Sequence, residues 1–419
     1  MLGLERPLVI AMVGLPARGK SYLVKMIIRY LTWISFEAEV FNVGSYRRKI
    51  GLAGADSTFF NPGNKDASRV REDMAAHVQD EMYEWLRSGS QKRRVAIFDA
   101  TNTTRERRYA LCHRARQENV HLLYVESICD DQEVLQSNYE LKLQNADYRG
   151  MDPDQAKKDF MDRVRAYEKV YESIEDDEDG GNICYLKLIN VGQKTITRGC
   201  SGYLPSQVAF YLQNVHIQPR KIYFSLPAQT STVVDDSGSC QMTETGRQYA
   251  LDFANYFEAR RVMRPTHQGD EHIILCGTGC ASTATIVHLH RILPCFSTVL
   301  LNDMRRGDFE GLSKAEIKEK YADEYTRQKA DPTNYRFPGG GESYNDVVER
   351  TRPIVIELER QRKSVIVIAG PAVLRCLLAY FSGTESSEIP KLRFKEHHIY
   401  ELTPGPFGCA VREINPVLE

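Results

Sequence analysis

The chain has 419 residues, 42% hydrophobic and 26% charged, with 55 basic against 56 acidic side chains. That length suits two domains, and the composition favours packed globular structure over disorder. A charge near zero gives no global signal for a nucleic-acid partner, and no apolar run reaches membrane-spanning length. Glu5 and Arg6 interrupt any apolar leader at once, so no signal segment is expected. The ten cysteines are scattered without a C-x-x-C framework, and Cys276 and Cys280 are the closest pair. Reduced thiols in a soluble, cytoplasmic protein are therefore predicted.

Pro7–Val13 is a continuous apolar run ending at Gly14, as in a buried parallel strand entering a glycine turn. Ser21–Trp33 carries Leu23, Met26, Ile27, Tyr30 and Leu31 at helical spacing. Val40–Val43 reads as the next strand. Residues 65–88 read as a helix, with Val70, Met74, Val78, Met82 and Trp85 recurring every three or four positions. Arg94–Phe98 and His121–Val125 read as two more strands, separated by an Arg105–Asn119 helix. This alternation predicts an α/β fold with a parallel sheet covered by helices on both faces. Glu175–Gly181 is acidic and ends in glycines, which predicts an exposed loop rather than a metal site. A strand follows at Ile183–Val191. The pattern restarts near Pro219, with strands at Lys221–Phe224, Ile273–Cys276, Ser297–Leu301 and Val365–Ala369. Two domains are expected, 1–219 and 220–419.

The segment Gly14-Leu15-Pro16-Ala17-Arg18-Gly19-Lys20-Ser21 fits G-x-x-x-x-G-K-[ST] between a predicted strand and a predicted helix. Glycines let such a loop curl until its backbone N–H groups point inward at phosphate oxygens. The helix that follows offers its positive end to the same anion. Lys20 would reach the β- and γ-phosphates of ATP, and the Ser21 hydroxyl would ligate Mg²⁺. Asp99 ends an apolar strand, where it would serve as a Mg²⁺ carboxylate, as the base for an acceptor hydroxyl, or as a plain cap for the next helix. Arg47, Arg48, Arg71, Arg105, Arg107 and Arg108 sit near predicted strand ends, as a phosphorylated acceptor would require.

The words V-G-L-P-A-R-G-K-S-Y, F-N-V-G-S-Y-R-R, F-D-A-T-N-T-T-R-E-R-R and V-E-S-I-C-D-D resemble the 6-phosphofructo-2-kinase/fructose-2,6-bisphosphatase family. The likeness continues through D-F-M-D-R-V-R-A-Y-E and, more loosely, across the second half. It implies a P-loop NTPase-type domain followed by a histidine-phosphatase-like domain, and a cytoplasmic homodimer. The implied reaction moves the γ-phosphoryl group of ATP to the 2-hydroxyl of fructose 6-phosphate. Sugar-phosphate contacts would fall on Arg47, Arg71, Thr101, Arg107, Lys142, Arg163 and Tyr167. Nucleotide contacts would extend from the Gly14–Ser21 loop to Tyr22, Asn138 and Lys142. Lys20, Asp99 and Cys129 match active-site positions, although a buried apolar thiol is an equal reading of Cys129. Ser21 stands where the family usually has threonine.

The resembling family's phosphatase domain uses a histidine nucleophile in R-H-G-E after its first strand. Here Leu226, Pro227 and Gln229 hold the arginine, histidine and glutamate positions, and Gly370 holds that of the second histidine. Asp303 replaces an acidic residue, and Gly277–Thr285 contains no arginine. His288 and His290 fall on an expected apolar helix as core or rim residues, and His397 matches a retained position that is not the nucleophile. Proline cannot attack phosphorus, so loss of the phosphatase reaction is predicted. A bifunctional enzyme with weak residual phosphatase activity and a scaffold inactive in both halves are the alternatives. The intact Lys20, Ser21 and Asp99 argue against the scaffold.

Overall fold

Leu8–Val13 forms strand β1 with all six residues buried, because helices cover both faces of an interior parallel strand. The computed structural model describes residues 6–89, 94–190, 192–215, 220–234, 240–263, 271–405 and 408–417. After β1 come α1 (Lys20–Trp33), β2 (Glu37–Asn42), α2 (Val43–Lys49), α3 (Lys65–Arg87), β3 (Arg94–Asp99) and α4 (Arg105–Gln117). β4 (His121–Ile128), α5 (Gln132–Leu143), α6 (Pro153–Glu168), β5 (Tyr185–Ile189), β6 (Lys194–Arg198) and α7 (Tyr203–Asn214) follow. Their sheet has the order β2-β3-β1-β4-β5-β6. β1 steps to β3 on one side and to β4 on the other, and such a reversal of strand order opens a crevice at the carboxyl ends of the strands.

Local chemistry sets where the helices start. The Asn42 side chain accepts from Ser45 N, Asn64 from Ala67 N, Thr104 from Arg107 N and Asp131 from Glu133 N. Each satisfies a donor that the first helical turn leaves open. Asp152 does the same for α6, whose first residue is Pro153.

The remaining elements are β7 (Ile222–Ser225), β8 (Thr230–Val234), β9 (Cys240–Met242), α8 (Glu244–Met263), β10 (His272–Cys276), α9 (Cys280–Thr285) and β11 (Cys295–Ser297). Then come α10 (Lys314–Lys320), α11 (Ala322–Ala330), α12 (Tyr344–Arg360), β12 (Ser364–Ile368), α13 (Pro371–Ser382), β13 (Ile399–Gly405) and β14 (Gly408–Ile414). Their sheet has the order β11-β10-β12-β7-β13-β14, and β8 and β9 pair separately. The chain divides into two units, Met1–Leu31 with Phe36–Val215, and Thr32–Ser35 with His216–Glu419. The expected boundary at residue 219 lies outside the described residues.

Several expectations need correction. The sheets are mixed, since β6, β13 and β14 run antiparallel to their neighbours. Val43 opens α2 because Asn42 caps it, so β2 ends one residue earlier than predicted. Val70 is 40% exposed, and the buried face of α3 runs through Met74, Ala75, Val78, Met82, Tyr83 and Leu86 instead. Only Cys295–Ser297 is strand in its region, and Val299–Leu301 is a 3-10 turn. His288 and His290 are exposed on turns beyond α9 rather than on a helix. Cys240 and Cys280 are joined as a disulfide, so the expectation of reduced thiols fails for that pair.

The acidic Glu175–Gly181 segment is not simply an exposed loop. Glu178 is buried and receives two hydrogen bonds from Arg108, at 2.8 and 2.6 Å. Asp177 pairs with Arg105 and Asp179 with Arg116. The segment is a carboxylate clasp for helix α4, and it commits Arg105 and Arg108 to structure rather than to a ligand.

Candidate active site

Between β1 and α1, the loop takes a shape that only certain residues permit. Gly14 has φ +135°, and a Cβ there would stand 2.5 Å from the carbonyl oxygen of Ser127. Its N–H donates to Thr101 O at 3.0 Å. The Ser127 hydroxyl donates to Arg18 O, and Asn138 Nδ2 donates to Ala17 O at 3.1 Å. Buried Asn102 (φ +42°) donates from its side chain to Met12 O at 2.8 Å. Strands β1, β3 and β4 and helix α5 thus fix the loop from several sides, so its curled backbone is formed in advance of any ligand. The Arg18 guanidinium reaches outward to Tyr139 OH at 3.0 Å and to Glu168 at 3.4 Å.

Lys20 Nζ lies inside the curl and donates to Gly14 O at 2.7 Å and Leu15 O at 2.6 Å. Burial lowers its pKa to about 7, and Lys142, Arg18 and Arg163 push in the same direction against the pull of Asp99. An anion in the loop would reverse that shift. Asp99, at the end of β3, is also buried. Burial raises its pKa, opposed by Lys20, by a hydrogen bond from Asn42 Nδ2, and by Lys142 and Arg48. Lys142 Nζ lies 3.4 Å from the Ser21 hydroxyl and also faces Asp99. A hydroxyl and a carboxylate beside one cation-lined cleft form an oxygen donor set suited to Mg²⁺, so the residues present fit that ion. Tyr22 joins the first turn of α1 through its N–H to Gly19 O at 3.0 Å.

The arginines expected at the acceptor converge from separate elements. Arg71, half-buried on α3, donates to Phe59 O. Burial lowers its pKa; Tyr167 opposes that fall and Arg107 adds to it. Arg163 on α6 stacks over Phe60, with Cζ 3.7 Å from the ring centroid, and is close enough to Lys20 to lower its pKa. The cationic cluster and the loop therefore share one electrostatic neighbourhood. Arg47 is different: it is almost wholly enclosed, donating to Leu52 O and to Asp147 at 2.6 Å. Thr101 is half-buried and contributes its carbonyl to Gly14. Cys129 is buried beyond β4, and its Sγ donates to Asp131 O at 3.9 Å. Burial raises its pKa, keeping the thiol protonated and a poor nucleophile. Sequence reasoning overlooked Asn42, Asp147 and Phe60. Asn42 carried a signal, because an asparagine just before V-G-S reads as a helix cap.

The corresponding loop of the second unit, after β7, is closed on itself. Ser225 Oγ hydrogen-bonds with Tyr249 OH at 2.6 Å, and Ala228 N donates to Thr285 Oγ1 at 2.8 Å. Gln229 O accepts from Thr243 N at 3.1 Å. Gly370 caps α13, and a Cβ there would lie 2.2 Å from Asp303 Cγ. Asp303 Oδ1 accepts from Ala372 N at 3.3 Å, taking the anion position at the start of α13. Arg350 binds Glu342 and the carbonyls of Leu300 and Asn302, while Arg375 donates to Tyr344 OH at 2.8 Å. His397, at φ +58°, packs against Tyr249 with the ring centroids 5.0 Å apart.

Residues 3–219 match the family model 6-phosphofructo-2-kinase, and residues 230–416 match the histidine phosphatase superfamily (branch 1). A 6-phosphofructo-2-kinase/fructose-2,6-bisphosphatase of Caenorhabditis elegans is 38% identical over 96% of this chain and 88% of its own. A 6-phosphofructo-2-kinase/fructose-2,6-bisphosphatase 3 of Rattus norvegicus is 36% identical, over 97% of this chain and 72% of its own. The 6-phosphofructo-2-kinase 1 of Saccharomyces cerevisiae is 36% identical over 96% of this chain and 51% of its own. Among solved structures, an alpha-ribazole phosphatase from Shigella flexneri covers 46% of this chain and 96% of its own at 16% identity, with a TM-score of 0.39. The curled Gly14–Ser21 loop, the cationic cluster beside it, the family-model matches and the relatives at 36–38% identity lead to one assignment: the chain belongs to the 6-phosphofructo-2-kinase/fructose-2,6-bisphosphatase family.

Proposed function

We propose that the protein is a 6-phosphofructo-2-kinase that makes fructose 2,6-bisphosphate, a regulator of glycolysis, and no longer hydrolyses it. The observation that carries this reading is the contrast between Lys20, buried with two backbone carbonyls as its hydrogen-bond partners, and the Asp303 carboxylate seated against Gly370. In the kinase unit, residues 1–219, the loop amides would hold the phosphates of ATP, and Lys20 would exchange its carbonyl partners for phosphate oxygens. Ser21 and Asp99 would hold Mg²⁺, which supplies charge neutralisation at the β- and γ-phosphates. Arg71, Arg107, Arg163 and Tyr167 would orient fructose 6-phosphate so that its 2-hydroxyl faces the γ-phosphoryl group. Phosphoryl transfer depends mainly on such positioning and on charge neutralisation.

In residues 220–419 the phosphatase chemistry is lost. Pro227 offers no nucleophile, Leu226 stands at the position of the arginine that would clamp a phosphoryl group, and Gly370 stands at that of the second histidine. The protein acts in the cytoplasm as a homodimer, with neither a nucleic acid nor a membrane as partner; among the described residues no helix is long and apolar enough to cross a membrane. The test uses two incubations. Mg-ATP with fructose 6-phosphate should give fructose 2,6-bisphosphate, and fructose 2,6-bisphosphate alone should release no phosphate. Phosphate release in the second incubation overturns the loss of phosphatase activity. No product in the first overturns the kinase.

A further inference from the structure

Asp147 lies on a short 3-10 turn between α5 and α6 and is enclosed by arginines. Its Oδ2 stands 2.6 Å from Arg47 Nη2, 3.5 Å from Arg48 Nη1 and 3.9 Å from Arg163 Nη1. Oδ1 accepts from Gly54 N at 3.4 Å. Phe60 forms the other wall, with Arg163 Cζ 3.7 Å and Arg47 Cζ 5.5 Å from its ring centroid. Phe60 belongs to the Ser57–Phe60 turn, which Asp159 of α6 holds through Ser57 N at 2.7 Å. Arginines from two helices therefore meet over one carboxylate and one aromatic face.

Charge explains why one carboxylate is enough. Three guanidinium groups against one carboxylate leave two positive charges. A sugar phosphate monoester carries about −2 at neutral pH, so the remaining charge matches it. Without Asp147, the enclosed Arg47 would lose its carboxylate partner and repel Arg163. With Asp147, the guanidinium planes are fixed before the ligand arrives, and binding avoids the cost of ordering long side chains.

We infer that Asp147 is a positioning residue of the acceptor site, anchored by the enclosed Arg47 and setting the angle at which Arg163 grips the 6-phosphate of the sugar. The inference rests on the reading that these arginines face the sugar phosphate, and the experiment separates the two. Steady-state kinetics of the full chain would be measured for Asp147→Asn, Asp147→Glu and Arg163→Leu, varying fructose 6-phosphate and ATP in turn. Asp147→Asn should raise KM for fructose 6-phosphate by roughly tenfold or more, with kcat and KM for ATP within about threefold of the parent. Asp147→Glu keeps the charge but displaces it by one methylene, and should raise the same KM less. A general structural defect would instead lower kcat and disturb KM for ATP. An unchanged or lower KM for fructose 6-phosphate in Asp147→Asn overturns the inference. Should that variant not fold, an unchanged KM in Asp147→Glu does so. If Arg163→Leu leaves this KM unchanged, the underlying reading of the arginines fails instead.

Discussion

Each unit has a loop leaving the carboxyl end of a strand inside its sheet, and the two loops have opposite fates. After β1, Gly14–Ser21 leaves its cation held by backbone carbonyls, partners that a phosphate readily replaces. After β7, residues 225–229 bond to Tyr249, Thr285 and Thr243, and Arg350 elsewhere in the unit is held by a carboxylate and carbonyls. Both loops are well satisfied, so stability does not separate them. What separates them is whether the partners of the polar groups can be exchanged for a ligand. Polar groups with permanent partners have little left to offer a ligand, even while the surrounding sheet stays intact.

The sharpest way to break this comparison is to remove the kinase cation. Lys20→Met should lower kcat by at least ~10³, measured as fructose 2,6-bisphosphate formed, while the thermal transition stays near that of the parent. Next is the attempt to revive the second loop. Pro227→His alone should give no detectable phosphate release from fructose 2,6-bisphosphate, because Leu226 and Gly370 still stand at the positions of the arginine and the second histidine. Gly370→His should lower stability by about 1–3 kcal/mol in a denaturant titration, since its Cβ collides with Asp303, and Asp303→Ala should recover part of the loss. At the acceptor, Arg71→Leu and Arg163→Leu should each raise KM for fructose 6-phosphate by about tenfold, with a smaller change in kcat.

The smallest effect concerns pH. Without phosphate, Lys20 titrates at about 7 because burial disfavours its charge. Bound phosphate favours the charged form, so ATP binding takes up a proton when the pH is above 7. KM for Mg-ATP should therefore rise by a few-fold between pH 7 and 8.5. Calorimetry in two buffers of different ionisation enthalpy would detect the uptake, and its absence would leave the burial of Lys20 without this consequence.

How much of this was legible depends on the distance over which each feature is encoded. The Gly14–Ser21 loop, the β1 run and the start of α4 at Arg105 are local patterns, and they formed where the residues indicated. The antiparallel strands β6, β13 and β14 were not legible, because strand direction is set by partners far along the chain. Arg47, Arg108 and Arg163 look alike as letters. Only the fold distinguishes Arg108, sealed onto Glu178, from Arg163, lying over Phe60 beside the loop. Asp147 was passed over for the same reason: one acidic residue before a tyrosine carries no local sign that three guanidinium groups will surround it. The Cys240–Cys280 pair, 40 residues apart, gave no spacing signal.

The seat of Gly370 has a consequence for descent as well as for chemistry. With glycine at 370, the Asp303 carboxylate packs against that backbone and accepts from a donor at the start of α13. A single reversion would have to push a carboxylate out of a favourable site before it regained anything, and Pro227 would still block the reaction. Selection acting one residue at a time meets a loss at the first step. The fit runs one way: glycine at 370 lets the carboxylate in, and any side chain there must first drive it out.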